Sequence, residues 1–372
     1  MRSGRWSLWR SSCASKVGEG TCPVVRGGLA SLLVARHLIT GGAGFIGSHL
    51  AEALLLEGNK VTALDNLATG RLANLTALAG HPDFSFVQGS VLDELVVDEA
   101  VRNSDIVVHL AAAVGVKLIV EQPLYSLTTN IKGAITVLEA AHRYRRKVMV
   151  ASTSEIYGKN NSGPLNERSD RILGSPAVAR WAYSTSKAVD EILAYAYHRE
   201  RDLPTIVVRL FNTVGPRQSP AYGMVIPRLV HQALAGEPIT VYGDGAQTRC
   251  FCHVTDVVDA LIRILNEPLA EGDVFNVGSS EEISIEDLAR QIVSKTESTS
   301  PIVHVPYDVA YETGFEDMVR RVPDTTKVEA LTGWQATLSL DQILDDVIAE
   351  TRKETAARVI AGDDSSWARL QK

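Results

Sequence analysis

The residues whose types and spacing could do chemistry begin with Tyr183 and Lys187, four apart in Tyr183-Ser184-Thr185-Ser186-Lys187. On a helix that spacing puts both side chains on one face. An ammonium beside a phenol favours the phenolate and draws its ordinary value of about 10 downward. A tyrosinate can accept a hydroxyl proton while the adjoining carbon gives up a hydride. A predicted strand ending in Ser152-Thr153-Ser154 precedes this helix, and a Thr153 hydroxyl near Tyr183 would orient the same substrate hydroxyl. The hydride needs an acceptor, and the chain offers a place for one. Thr40-Gly41-Gly42-Ala43-Gly44-Phe45-Ile46-Gly47 follows a predicted strand and opens a predicted helix. Gly41 permits the tight turn, Gly44 lets the backbone approach a pyrophosphate, and Gly47 lets helix and strand pack closely. The helix start at Phe45 and Ile46 offers free N–H groups and partial positive charge to phosphates. Asp65 ends the second strand, 18 residues after Gly47. A carboxylate there accepts hydrogen bonds from ribose hydroxyls and repels a 2′-phosphate, which favours NAD over NADP. Gly89-Ser90-Val91 follows the third strand, where it would edge the adenine. Small residues in Leu110-Ala111-Ala112 end the fourth strand and would leave room for the cofactor.

These residues need a scaffold, and the chain alternates short β-rich runs with helical ones. Strands are predicted over 37–40, 60–64, 84–87, 106–110, 147–151 and 205–210, with a helical stretch before the third. Helices are predicted over 45–57, 130–144 and 181–199, the first closed by Gly58-Asn59. Strands alternating with helices imply a parallel sheet covered on both faces. After about Phe211 the rhythm changes, punctuated by Pro216, Pro220, Pro227 and Pro238. A helix over 226–234, strands over 239–242 and 274–277, and a helix over 285–294 form a smaller, substrate-facing part. The expected fold is α/β: a Rossmann-type doubly wound parallel sheet with a smaller C-terminal α/β lobe. Its expected divisions are a non-structural extension over 1–35, a cofactor-binding domain over 36–210 with returns near 239–270, a mainly substrate-binding lobe over 211–355, and a polar tail over 356–372. The extension carries Arg2, Arg5, Arg10, Lys16 and Arg26 against Glu19 alone, a composition that mimics a transit peptide.

Composition sets the class. The chain has 372 residues, with 37 Lys+Arg against 44 Asp+Glu and a formal charge of −7. That balance argues against a dedicated nucleic-acid binder, whose footprint would be basic. Hydrophobic residues at 45% argue against disorder. No apolar run is long enough to span a membrane as a helix. Four cysteines make no disulfide framework and fit a reducing, cytoplasmic compartment. No histidine pair has metal-ligand spacing, no G-x-S-x-G elbow occurs, and the glycine loop lacks the Gly-Lys-Ser/Thr of a P-loop.

Together, TGGAGFIGSHL at 40–50, Asp65-Asn66, Asn130, Ser152-Thr153, Tyr183/Lys187 and Arg209-Leu210-Phe211-Asn212 resemble the extended short-chain dehydrogenases/reductases, in their nucleotide-sugar-modifying branch. The resemblance covers about residues 36–350. It implies NAD as cofactor, Thr153, Tyr183 and Lys187 as the catalytic triad, Asn130 supporting a proton-relay water or the helix, and Asn212 on the substrate. Gly223-Met224-Val225-Ile226 resembles the family segment whose backbone contacts the nucleotide base. A homodimer is also implied, through the helices 130–144 and 181–199, with Ala188, Ile192 and Tyr195 on the packed faces.

Members of this family open with oxidation at sugar C4 and then diverge. Ser154-Glu155, directly after Thr153, is similar to UDP-glucuronate decarboxylases, where such a pair serves the second step; a simple 4-epimerase needs no carboxylate beside C5. Arg249, in Thr248-Arg249-Cys250-Phe251, is similar to a decarboxylase position, and its guanidinium would bind a diphosphate or a carboxylate. Arg217 is a second such group, yet Pro216-Arg217-Gln218 is similar to 4-epimerases. UDP-glucuronate decarboxylation is therefore the expected reaction, with UDP-sugar 4-epimerisation as the alternative. A 4,6-dehydratase and a non-catalytic NAD sensor stand behind these.

Overall fold

A computed structural model describes residues 34–220, 224–306, 309 and 318–360. The extension and most of the polar tail lie outside these residues. Seven parallel strands make the central sheet, in the order β11-β6-β5-β4-β1-β2-β3. They are β1 (Arg36–Thr40), β2 (Lys60–Asp65), β3 (Phe84–Gln88), β4 (Ile106–His109), β5 (Lys147–Thr153), β6 (Thr205–Leu210) and β11 (Val274–Val277). The first six follow the 3-2-1-4-5-6 order of a dinucleotide-binding sheet. Register is fixed strand by strand, as in Thr40 opposite both Leu64 and His109.

Neighbouring strand residues face opposite layers, which is why these strands are apolar throughout. Ile39, Val108, Met149 and Val208 join one core cluster, with α1 (Phe45–Leu56) and α7 (Val254–Leu265). Leu38, Val107, Val148 and Val207 join another, with α2 (Glu94–Arg102), α4 (Pro123–Tyr144) and α5 (Trp181–Arg201). A short helix, α3 (Val116–Glu121), precedes α4. The helix predicted from Asn130 in fact starts at Pro123, a residue suited to the first helical position, so Asn130 lies inside it. The helical stretch expected before β3 is only a 3₁₀ turn, Leu72–Leu75.

The C-terminal lobe has its own core, built from α6 (Val225–Ala235), β8 (Ile239–Tyr242), α8 (Ile285–Thr296) and α10 (Leu340–Ile360). Here the expected return near 239–270 needs correction. β8 pairs with β13 (Ile302–Val305) inside the lobe, whereas α7 and β11 return to the large sheet. Residues 239–242 alternate buried and half-buried positions, as suits a strand with one covered face; 274–277 are buried throughout although they form an edge strand of the large sheet, because both of its faces are covered. Helix α10 runs to Ile360, past the boundary drawn at 355. Ala188 was expected on a face turned to a partner, but it packs inside this chain against Ile156, Tyr157, Leu165 and Phe211; Ile192 is exposed. Among the described residues no helix is long and apolar enough to cross a membrane.

Candidate active site

A cavity of about 660 Å³ opens at the carboxyl ends of β1, β2, β4, β5 and β6. Its floor is the glycine loop. Gly41 has φ +71°, and a Cβ there would lie 2.9 Å from Ala111 N. A Cβ at Gly47 would lie 2.3 Å from Gly41 O, so loop and helix meet at a distance only glycine allows. No side chain caps α1 and its first turn holds no acid, so its N–H groups remain available to a phosphate. Asp65 is buried at the rim. Its carboxylate accepts Ala43 N–H at 2.9 Å and Leu67 N–H at 2.8 Å, and it lines the cavity. It thus does two tasks, tying the loop to β2 and presenting negative charge where a ribose would sit. These features fit a dinucleotide.

Most of the expected site residues line this one space: Gly41, Gly44, Phe45, Ile46, Gly47, Asp65, Asn66, Val91, Leu110, Ala111 and Ala112 on the cofactor side, and Thr153, Ser154, Glu155, Tyr183, Lys187, Asn212 and Arg217 beyond. Four do not. Ser90 turns away, because its hydroxyl accepts Leu92 N–H at 3.2 Å, and Gly89 takes its place on the wall. Asn130 stands behind the wall. Its amide accepts Ala113 N–H at 2.7 Å and donates to Ser186 Oγ at 3.1 Å, so it clamps the loop after β4 to α5. Val225 packs into the lobe core at the start of α6, and Met224 lines the cavity instead. Arg249, on β9 (Thr248–Cys250), is buried and donates to Thr248 O. Arg321 lines the cavity beside Glu155 instead and donates to Asn212 Oδ1 at 2.7 Å. Sequence reading missed Arg321 because nothing near it in the chain marks it. Arg217 lines the cavity but is anchored to α1, donating to Glu52 Oε2 at 2.6 Å; its φ of +70° shows that the backbone is bent to place it.

Helix α5 buries both Tyr183 and Lys187, and Thr153 at the tip of β5 is hydrogen-bonded to the Tyr183 phenol. Lys187 is expected to draw the phenol down, with the oxidised nicotinamide ring adding positive charge; the protein's own groups act in the other direction. Burial first, then the Glu155 and Asp190 carboxylates, push Tyr183 above its ordinary value. Lys187 Nζ is paired with Asp190 Oδ2 at 3.0 Å, which offsets part of its charge. Glu155, next to Ser154, is ion-paired with Arg180, and Arg321 Nη1 lies 3.7 Å away. Burial pushes its carboxyl up, but Arg180, Arg321 and Arg249 together outweigh that and hold it below the ordinary carboxylate value. Behind β5, Ser152 Oγ bonds Glu191 at 2.5 Å, and Arg209 grips the same carboxylate at 2.9 and 2.7 Å. This buried network fixes β5, β6 and α5 against one another.

Comparison with known proteins agrees with this geometry. A family profile described as GDP-mannose 4,6 dehydratase matches residues 38–347. The chain is 42% identical over 314 residues to a UDP-N-acetyl-alpha-D-glucosaminuronate decarboxylase of Bacillus cytotoxicus, covering 84% of this chain and 96% of that protein. It is 35% identical to UDP-glucuronic acid decarboxylase 1 of Danio rerio, covering 86% and 73%. A solved structure of UDP-glucuronic acid 4-epimerase from Bacillus cereus, with UDP-glucuronic acid and NAD, superposes with a TM-score of 0.78 at 28% identity, covering 86% of this chain and 99% of that one. The chain therefore belongs to the NAD-dependent epimerase/dehydratase family of extended short-chain dehydrogenases/reductases, and it is an NAD-dependent enzyme acting on nucleotide sugars.

Proposed function

We propose that this enzyme decarboxylates a UDP-linked hexuronate after oxidising it at C4. The observation that carries this reading is Glu155, a nearly buried carboxylate beside Thr153 with Arg180, Arg321 and Arg249 acting on it. Three guanidinium groups around one carboxylate leave the pocket cationic, which suits a substrate bearing its own carboxylate there. A plain 4-epimerase of neutral sugars has no use for such a cluster.

Bound NAD supplies the two-electron acceptor at C4 and a positive ring charge. Tyr183 accepts the C4 hydroxyl proton, and Thr153 orients that hydroxyl. The oxidised sugar is a β-keto acid. Its C5–C6 bond breaks to release CO2, and the electron pair passes into the C4 carbonyl. The Thr153 and Tyr183 hydroxyls then lie where they can donate to the developing oxyanion. C5 of the resulting enolate takes its proton from water, because Glu155 is held below the ordinary carboxylate value and stays ionised. Glu155 holds Arg321 toward the substrate instead, and Ser154 lines the same wall.

Both decarboxylase relatives support this reading, and their names supply the UDP handle. They differ in the sugar, so UDP-glucuronate and its 2-acetamido counterpart are the two substrates to test. A second reading, 4-epimerisation of a UDP-hexuronate, is favoured by the likeness to the Bacillus cereus epimerase. Measured CO2 release from either substrate supports decarboxylation. C4 inversion by NMR without CO2 release replaces it with the second reading. A homodimer through α4 and α5 and a cytoplasmic location belong to the same proposal. The free, buried Cys250 and Cys252 are consistent with a reducing compartment, and light scattering that reads a monomer would remove the dimer.

A further inference from the structure

Helix α5 carries a buried acid beside Lys187 that the proposed chemistry does not use. Asp190 lies one turn after Lys187, its side chain is fully buried, and Oδ2 accepts from Lys187 Nζ at 3.0 Å. Among the described residues its Oδ1 has no hydrogen-bond partner. Burying a carboxylate with half of its acceptors unused is costly, and such a pair is weak support for stability. Its position suggests another use. An acid this close offsets part of the ammonium's charge as its neighbours feel it, and one of those neighbours is Tyr183, one turn earlier on the same helix. Asp190 pushes the Tyr183 phenol up, as does Glu155, whereas Arg180 acts the other way.

We propose that Asp190 is a positioning residue that holds the Lys187 ammonium and offsets its charge beside Tyr183, so that the base forms only when the cofactor's positive ring is in place. The proposal rests on the reading of Tyr183 as the base. The other charged groups around this point are already balanced. Glu155, from the turn after β5, is offset by Arg180, Arg321 and Arg249. Glu191, the next residue on α5, is gripped by Arg209. His109, from the end of β4, is held neutral, pushed down to about 3 by burial and then by Lys187. Burial and Glu155 act on Tyr183 as well, and the Lys187–Asp190 pair is the charge balance beside it that one substitution on α5 can shift. The consequence is a base that forms only in the loaded enzyme, with proton release linked to NAD binding.

The test is a titration of Tyr183 by NMR of ring-labelled tyrosine, with and without NAD, the resonance being identified by its loss in Tyr183→Phe. Asp190→Asn should move the Tyr183 titration down by about one pH unit or more. Lys187→Met should move it up, and the double variant should return it near the parent. Should Asp190→Asn fail to fold by circular dichroism, Asp190→Leu removes the charge while filling the space and carries the same expectation. A Tyr183 resonance that is unmoved or shifted upward in the folded variant overturns the proposal; an upward shift would mean that Asp190 serves to keep Lys187 charged. The acid limb of the pH–rate profile separates the two readings. If the titration moves down and the limb stays, Asp190 acts as proposed and Tyr183 is not the base.

Discussion

Replacing Glu155 by Gln removes one negative charge from beneath the guanidinium cluster and changes little else. Glu155 is ion-paired with Arg180 and lies 3.7 Å from Arg321, and all three side chains are mostly buried. At about 4 Å and an effective dielectric of about 20, each contact is worth about 4 kcal/mol before desolvation. Desolvation offsets most of that, yet breaking a buried pair typically costs about 3–5 kcal/mol because the partners stay buried. The Gln amide oxygen still accepts one hydrogen bond, which brings the expected loss to about 2–3 kcal/mol. The sign with pH follows from the depressed Glu155 carboxyl. Its contribution is fully present above the ordinary carboxylate value and is lost as pH falls through the lower, folded-state value. The stability gap between parent and Glu155→Gln, read by urea unfolding, should therefore be widest near neutrality and should narrow in acid. CO2 release should fall about 10²–10³-fold, the range for losing one preorganised electrostatic contact at the reacting centre. Equal unfolding midpoints at neutral pH, or a gap that does not change with pH, would refute the assignment of Glu155 as the ionised centre of the cluster.

Other consequences follow from the same geometry. Gly47→Ala would place a Cβ 2.3 Å from Gly41 O and should abolish NAD binding by calorimetry; a variant that binds as well as the parent would show that the loop is not the cradle. Asp65→Asn loses a charged acceptor that serves two backbone N–H groups. NAD affinity should fall about 10- to 100-fold, from charge-assisted bonds worth about 1.5–3 kcal/mol. His37 and His49 are each pushed down to about 4, and His109 to about 3, mainly by burial. The unfolded chain takes up these protons below about pH 6.5 while the folded one does not, so stability should fall as pH drops from there toward 4. Each histidine accounts for up to about 3 kcal/mol of that loss. His49→Asn, by thermal unfolding across that range, should flatten part of the slope; an unchanged slope would clear His49.

Much of this was legible in the sequence because local signals and global fold agree. The loop at 40–47, the period of the strands and the Tyr183/Lys187 spacing each depend on residues close in the chain, and all recur in the structure where expected. What was not legible depends on distant pairing. Arg321 reaches the cavity only because the segment after 318 folds back over Asn212, and no local pattern announces that. Arg249 had the more suggestive neighbourhood and yet sits behind Glu155. For Asn130 the resemblance implies support for a relay water or the helix, and only the folded chain shows that its amide joins Ala113 to Ser186. The charge on Lys187 was counted without Asp190 because only the folded helix shows the two in contact. Edge and lobe strands were the hardest to place, since a short apolar run such as 239–242 fits either the large sheet or the lobe.

The most direct test of the account is mass spectrometry of UDP-glucuronate and of its 2-acetamido counterpart after incubation with the protein and NAD. Decarboxylation predicts a product lighter by one CO2 where the hydride returns to C4, or by one CO2 and two hydrogens where the 4-keto sugar is released, from at least one of them, and neither from Tyr183→Phe. Both masses unchanged, with C4 inverted in the recovered sugar, would contradict the decarboxylase reading and leave the cationic cluster around Glu155 as a carboxylate-binding site of an epimerase.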